Sequence, residues 1–399
     1  MISIGVSKMR IKNLTNYIVR MYKSEMNDVR TTLILLGGSG IGKTTSVREA
    51  AKKIAQELGR EYVEYSDKKA RQMLGRGFVD SEGKKVEQLD PAKHFVFVDF
   101  RLTECEPSDL IGVPQYDPEL QATFFAPMLW TIVLSKCPGI LFLDELTNTG
   151  RDDLVSIAYK IVEDRKVGFT ELHPDVMVIA AGNRVEDSSI ARMLPAPLTN
   201  RLTVIKLGAS TVDEWKDFMD DRYGNAWDRR TYFFLKRFEN DNYLYQPVKE
   251  VETLDAFPTP RSWTRLARYM HKGFTDLDTI FGCIGEEVGQ KLHAFLKTNV
   301  DLDEILSDPK KYTALTIDGK FMLTSMLVTY ITNNLENKAG IQRVLQLFDV
   351  MVSDNRELAV VLLTGLEKKI RTKFITHVIN YKPAYGELFV DILQLKHNL

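Results

Sequence analysis

The sequence predicts an α/β fold, a parallel sheet covered by helices on both faces and followed by an all-helical region. Three observations predict it. Apolar runs at Leu33–Leu36, His94–Phe100, Gly139–Leu143, Val176–Ala180 and Leu202–Ile205 recur between stretches of helical periodicity. Uninterrupted apolar runs belong to strands buried on both faces, and their alternation with helices describes a doubly covered parallel sheet. A glycine-rich segment joins the first of these strands to the first long helix, and from about Ser210 the strand signal fades into helical spacing.

Taken in order, residues 8–26 read as a short amphipathic helix that leads into a strand at 32–36. The segment Gly37-Gly38-Ser39-Gly40-Ile41-Gly42-Lys43-Thr44-Thr45 follows, and helical periodicity resumes through Ile54. A strand, a glycine-rich turn and a helix N-terminus are the context a phosphate-binding loop requires. Glycines let successive backbone N–H groups converge on phosphate oxygens, Lys43 neutralises β- and γ-phosphates, and the Thr44 hydroxyl can ligate Mg²⁺.

Residues 61–93 are polar, with Lys68-Lys69-Ala70-Arg71 and Lys84-Lys85, and are expected to form a solvated excursion before the strand at 94–100. The run Gly139-Ile140-Leu141-Phe142-Leu143 ends in Asp144-Glu145. Strand alternation is expected to turn these two carboxylates apart, so that Asp144 holds Mg²⁺ and Glu145 polarises an attacking water. Together with the loop, the acid pair points to hydrolysis of a bound nucleotide rather than binding alone.

A helix is expected where Leu154, Val155, Ile157, Ala158, Ile161 and Val162 fall on one face, then a strand at 176–180 ending near Asn183, then a last strand at 202–205. Beyond Ser210 helices are expected around Trp215, over 232–238, over Ser262–Lys272 and over Gly285–Lys297, with the aromatic stripe at 232–238 in a core and Asp301–Asp308 as a linker.

The bulk numbers bound the function. With 399 residues, 44% of them hydrophobic, the chain can bury a large core and form more than one domain. There are 53 basic and 54 acidic residues for a formal charge of -1, so a strongly cationic nucleic-acid binder is not implied. Cys105, Cys137 and Cys283 have no metal-ligand spacing and read as buried thiols of a reducing compartment. The N-terminus lacks the apolar core of a secretory signal, and the apolar stretch around 321–331 is broken by Thr324, Ser325 and Thr329, so no membrane span and a cytoplasmic location are expected.

The order of motifs resembles the AAA+ ATPases and, within them, the MoxR-like branch related to the dynein-type AAA domains, over roughly residues 30–300. The resemblance rests on the phosphate loop, Asp144-Glu145, Ser108-Asp109-Leu110-Ile111-Gly112, Phe125-Ala126-Pro127-Met128-Leu129-Trp130, the strand ending in Asn183-Arg184, Leu194-Pro195 through Arg201, and Pro258-Thr259-Pro260-Arg261-Ser262-Trp263. It implies a P-loop α/β core over 31–209 and a helical lid over 210–299; outside it, helical patterning gives a lead-in over 1–30 and an extension over 300–399.

The resemblance also implies roles. Asn183 would orient the attacking water beside Glu145, Arg201 would be an arginine finger presented to a neighbouring subunit's nucleotide, with Arg184 and Arg192 as competitors, and Arg261 would be a lid-borne arginine on the γ-phosphate of its own subunit. It implies ATP with Mg²⁺ as cofactors, a homo-oligomeric ring of six subunits, and a chaperone-like ATPase motor acting on a protein client, with a protein carrying a von Willebrand factor A-type domain as one candidate. A nucleic-acid-directed motor and a low-turnover nucleotide-gated scaffold are the alternatives. Asn337-Lys338-Ala339-Gly340 does not fit a guanine-binding Asn-Lys-x-Asp motif. Phe124-Phe125 is expected to pack beneath an insertion rather than line a channel.

Overall fold

The computed structural model describes residues 8–24, 32–75, 88–184, 191–246 and 255–386. They divide into two compact units, one reaching Ala209 and the other beginning at Ser210.

The first unit is built on ten strands: β1 (Thr32–Leu36), β2 (Glu61–Glu64), β3 (His94–Arg101), β4 (Val113–Asp117), β5 (Ala122–Ala126), β6 (Gly139–Asp144), β7 (Lys166–Val167), β8 (Thr170–Glu171), β9 (Val176–Gly182) and β10 (Leu202–Lys206). Six of them form one parallel sheet in the order β10-β1-β9-β6-β3-β2. Its helices are α1 (Ile11–Lys23), α2 (Lys43–Glu57), α3 (Asp67–Leu74), α4 (Pro107–Ile111), α5 (Leu129–Lys136), α6 (Asp152–Asp164) and α7 (Ala196–Thr199).

Strand alternation explains why both faces are apolar. Ile34, Val96, Val98, Leu141, Leu143, Val178 and Ala180 share a core with Trp130 and Val133 of α5 and Leu154, Ala158 and Ile161 of α6. The intervening Leu33, Leu35, Phe95, Phe97, Ile140, Phe142 and Ile179 are buried as well. On their side the Tyr22 ring of α1 meets Phe95 edge-on at 5.5 Å, and α1 packs along α2. The centre of the sheet, β1-β9-β6, therefore ends at one carboxyl edge where loops from all three strands meet.

Several expectations change. Part of the polar stretch 61–93 is not an excursion: Glu61–Glu64 pairs in parallel with His94–Phe97 as the edge strand, and α3 follows it. Its charged residues fit because an edge strand keeps one side exposed. Lys84 and Lys85 lie outside the described residues. Phe124 and Phe125 do not pack beneath an insertion. They stand on the β4–β5 hairpin, both exposed, with Phe125 touching the exposed Phe169 ring of the β7–β8 turn at 6.1 Å. Cys105 is only half-buried, while Cys137 and Cys283 are buried.

The second unit is helical: α8 (Val212–Tyr223), α9 (Arg230–Arg237), α10 (Pro260–His271), α11 (Leu277–Ile284), α12 (Glu286–Leu296), α13 (Leu302–Ser307), α14 (Ile317–Asn334), α15 (Lys338–Asp354), α16 (Arg356–Gly365) and α17 (Lys368–Tyr381). The stretch expected as a linker at 301–308 is the short helix α13, whose Asp301 side chain caps it by accepting from Glu304 N and whose Ile305 and Leu306 are buried. Tyr232, Phe233, Phe234 and Leu235 are buried as expected, in a core that runs from Val212 to Tyr385. One core thus spans residues on both sides of position 300. Among the described residues no helix is long and apolar enough to cross a membrane.

Candidate active site

The loop after β1 turns on two glycines in the left-handed region, Gly40 (φ 74°) and Gly42 (φ 105°), conformations that side chains with a β-carbon adopt only under strain. Gly42 is the N-cap of α2, no side chain caps that terminus, and no acidic residue lies in its first turn. The first N–H groups of a 15-residue helix are therefore directed at the loop, an arrangement that favours an anion. Gly37 sits in a tight place for a different reason: a β-carbon there would lie 2.7 Å from Ile41 Cδ1 and 3.1 Å from Leu207 Cβ, so both side chains would have to give.

Lys43, the first residue of α2, is buried and curls back over the loop. Its Nζ donates to the carbonyl oxygens of Gly37 and Gly38 at 2.7 and 3.0 Å and to Asn183 Oδ1 at 3.1 Å. Thr44 Oγ1 donates to Asp144 Oδ2 at 2.8 Å. Thr45 follows, half-buried, on the same turn. Loop, Asp144 and Asn183, from three separate segments, thus meet at the carboxyl edge of β1, β6 and β9.

Asp144 is buried at the end of β6, and its Oδ1 accepts from the backbone N–H of Glu145 at 2.9 Å. Glu145 diverges from it for a reason other than strand alternation. The chain leaves the strand at this residue, which sits at φ 63°, and Leu146 N donates to Ala181 O at 2.8 Å to start the next turn. A non-glycine residue held at positive φ is a local strain that surrounding contacts must maintain. Those contacts are Thr103 Oγ1, which donates to Glu145 Oε2 at 2.6 Å, and Arg101 Nε, 3.7 Å from Glu145 Oε1.

Asn183 is held from behind by Thr147. Its N–H donates to Thr147 Oγ1 at 2.8 Å, and that hydroxyl donates to Asn183 O at 3.0 Å. Gly182 permits this approach, since a β-carbon at that position would lie 2.5 Å from Thr147 Oγ1. Sequence reasoning did not single out Thr103 or Thr147, and hydroxyl residues beside an acid or a turn carry no pattern of their own. Asp99 was also passed over, although an acid inside an apolar strand is a signal. Burial and the nearby Asp144 carboxylate push the Asp99 carboxyl above its ordinary range, against the pull of Arg48, which bridges Asp99 and Glu64 at 3.0 Å each.

The arginines fall elsewhere. Arg201 precedes β10, where Leu202 pairs with Thr32, the first residue of β1; the phosphate loop begins after Leu36, which pairs with Lys206. Five strand residues at about 3.3 Å each put Arg201 roughly 16 Å away, at the opposite edge of the sheet. There its Nη1 contacts the Glu163 carboxylate and the Tyr159 hydroxyl of α6. Arg192 is 3.6 Å from Asp152, a pair whose side chains are 62% and 96% exposed and therefore weak. Arg184 follows Asn183 directly and is half-buried. Arg261 is exposed in the first turn of α10, behind Pro260 and a capping box between Thr259 and Ser262, and it belongs to the second unit.

The donor set fits Mg²⁺. A hydroxyl and a carboxylate 2.8 Å apart offer two hard oxygens, and this cation commonly takes one or two protein ligands and completes its shell with phosphate oxygens and water.

No family model matches the chain, and no curated protein matches it. Among solved structures it is similar to a RuvB mutant from Thermotoga maritima, with 17% identity, 79% of this chain and 81% of that one covered, and a TM-score of 0.35. It is also similar to the Aeropyrum pernix ORC2 protein in ADPNP–ADP complexes, with 11% identity, coverage of 94% and 96%, and a TM-score of 0.36. The Aeropyrum pernix ORC1 protein in complex with DNA matches at 13% identity, coverage of 93% and 83%, and a TM-score of 0.35. Likenesses this distant leave the fold to be defined by its own sheet order, a six-stranded parallel sheet between helices with a helical C-terminal region.

Proposed function

We propose that this chain is a Mg²⁺-dependent ATPase of the AAA+ type, of the MoxR-like branch, working as a ring and remodelling a protein client. One observation supports it above the others: Lys43 with Asn183, and Thr44 with Asp144, hydrogen-bonded at a helix N-terminus that lacks a side-chain cap. Roles follow from the chemistry of each group. The glycine loop and α2 amides bind the phosphates, with Lys43 exchanging its carbonyl partners for β- and γ-phosphate oxygens. Thr44 and Asp144 would hold the cation, which would supply neutralisation of phosphate charge when bound. Glu145 takes the proton of the attacking water as its oxygen bonds to the γ-phosphorus and the bond from that phosphorus to the β,γ-bridging oxygen breaks, so that ADP and phosphate leave; Asn183 fixes the water's orientation.

Arg201 is assigned to the nucleotide of a neighbouring subunit, because its own lies across the sheet, and Arg261 to its own subunit's γ-phosphate from the helical lid. A ring, most simply of six, and a client partnered with a von Willebrand factor A-type domain follow from the resemblance of the motif order. Glu145→Gln should bind ATP with unchanged affinity while turnover falls by about 10²-fold or more. Lys43→Ala should lose nucleotide affinity, and chelation of Mg²⁺ should abolish turnover. Wild-type turnover in Glu145→Gln would sink the hydrolytic reading. Stimulation by DNA or RNA that disappears as salt is raised would move the client from protein to nucleic acid.

A further inference from the structure

The side chain of Arg201 has a built resting place. Its Nη1 touches both the Glu163 carboxylate and the Tyr159 hydroxyl, and its guanidinium carbon stands over the Tyr159 ring at 5.0 Å from the centroid. Tyr159 and Glu163 are four residues apart on α6, hence on one face one turn apart. The helix that carries them is anchored by its core side: Ala158, Ile161 and Val162 are buried in the sheet core, and Thr32 Oγ1 donates to Val162 O at 3.4 Å, tying α6 to the strand that pairs with Leu202.

We infer that Tyr159 and Glu163 are positioning residues for the trans-acting arginine, a seat that holds the Arg201 guanidinium in place for the nucleotide of the next subunit. The inference rests on the finger role proposed above. An exposed arginine samples many rotamers, and a finger is effective only in one narrow geometry, so fixing it beforehand moves that entropy loss from the reaction to folding. The seat restrains the finger without locking it. Side-chain exposures of 45% for Arg201 and 37% for Glu163 leave the ion pair weak. Among the described residues no hydrogen bond uses Arg201 Nη2, so the second arm of the fork can engage an oxyanion while Nη1 stays seated.

The test compares steady-state ATP hydrolysis by the assembled protein for Glu163→Gln, Tyr159→Phe, Arg201→Ala and the double variant Glu163→Gln/Arg201→Ala, with assembly and thermal midpoint measured for each. The seat predicts a kcat lower by about 10- to 100-fold in Glu163→Gln and a smaller loss in Tyr159→Phe, at unchanged KM, assembly and midpoint. It also predicts no further loss when Glu163→Gln is added to Arg201→Ala, since a seat acts only through the group it holds. A general defect of α6 would instead move KM or the midpoint and would persist in the Arg201→Ala background, overturning the seat. Wild-type or raised kcat in both Glu163→Gln and Tyr159→Phe would overturn it as well. Full turnover in Arg201→Ala would strike one level deeper, removing the finger on which the seat depends.

Discussion

At the scale of single residues, the site depends on hydroxyls that hold the reactive groups. Thr103 donates to Glu145 at 2.6 Å and so occupies a carboxylate oxygen that would otherwise face water. That oxygen is not free to meet a water while it accepts the hydroxyl, and Thr103→Val should raise basal turnover severalfold at unchanged KM; a fall in turnover would mean that the hydrogen bond orients the carboxylate rather than restrains it. Thr147 does for Asn183 what Thr103 does for Glu145, and Gly182 is the space it uses. Gly182→Ala should displace Thr147, cost about 1–3 kcal/mol of stability, and lower turnover as Asn183→Ala should, measurable by thermal melts beside kcat. Wild-type kcat in Gly182→Ala would show that Thr147 does not set the position of Asn183. The residues proposed to meet phosphate stood out in the sequence because glycine, lysine and threonine at fixed spacing have few other uses between a strand and a helix. Thr103 and Thr147 were not, since their importance lies in a contact made across 42 and 36 residues of chain.

At the scale of elements, legibility followed burial. The central strands β1, β6 and β9 are apolar on both faces and stood out, whereas β2, with Glu61 and Glu64 at its ends, sits at an edge and looked like loop. The short α13 was hidden by the acidic residues that begin and cap it. In the helical unit a charged cluster escaped sequence reading altogether. Lys216, 2% exposed, donates to Leu366 O at 2.9 Å and lies 2.7 Å from Asp220, which in turn lies 2.9 Å from Arg229. Arg229 and Arg371 donate to the carbonyls of Gly365 and Leu366, so three cations gather at the C-terminal end of α16, where the helix dipole welcomes them. Removing the shared carboxylate in Asp220→Asn would take from Lys216 and Arg229 the carboxylate at 2.7 and 2.9 Å, leaving Lys216 only the more distant Asp217 at 3.7 Å, and should cost about 3–5 kcal/mol, read as a fall in the denaturant midpoint. Burial first, against the opposing pull of Asp220, lowers the Lys216 ammonium below its ordinary 10.5. The folded chain therefore releases that proton before the unfolded chain does. Stability should rise as pH climbs from the depressed value towards 10.5, and then level off. Lys216→Met should lack that rise, and parallel pH profiles for the two proteins would discount the effect.

At the scale of the whole molecule, the sheet puts the two halves of the proposed chemistry on opposite edges. Phosphate loop, Asp144, Glu145 and Asn183 belong to the carboxyl edge, and Arg201 to the amino edge beside Thr32. No side-chain motion carries an arginine across roughly 16 Å of strand, so a chain that uses both must use them in different subunits. Specific activity should then rise with protein concentration and plateau once assembly is complete, and an arginine finger sets the span of that rise at about 10³–10⁵-fold. A mixing experiment isolates the geometry from the assembly. Lys43→Ala subunits have no working loop but an intact Arg201; Arg201→Ala subunits have the loop but no finger. Each protein alone should be almost inactive. Mixed and allowed to exchange, they should recover a share of wild-type turnover, because a Lys43→Ala subunit can present its arginine to the intact loop of its neighbour. The recovered share should follow the fraction of interfaces at which the two kinds meet, peaking at an intermediate ratio. If the mixture stays as inactive as its parts although both proteins co-assemble, then Arg201 does not act across the interface and the opposite-edge arrangement has no catalytic meaning.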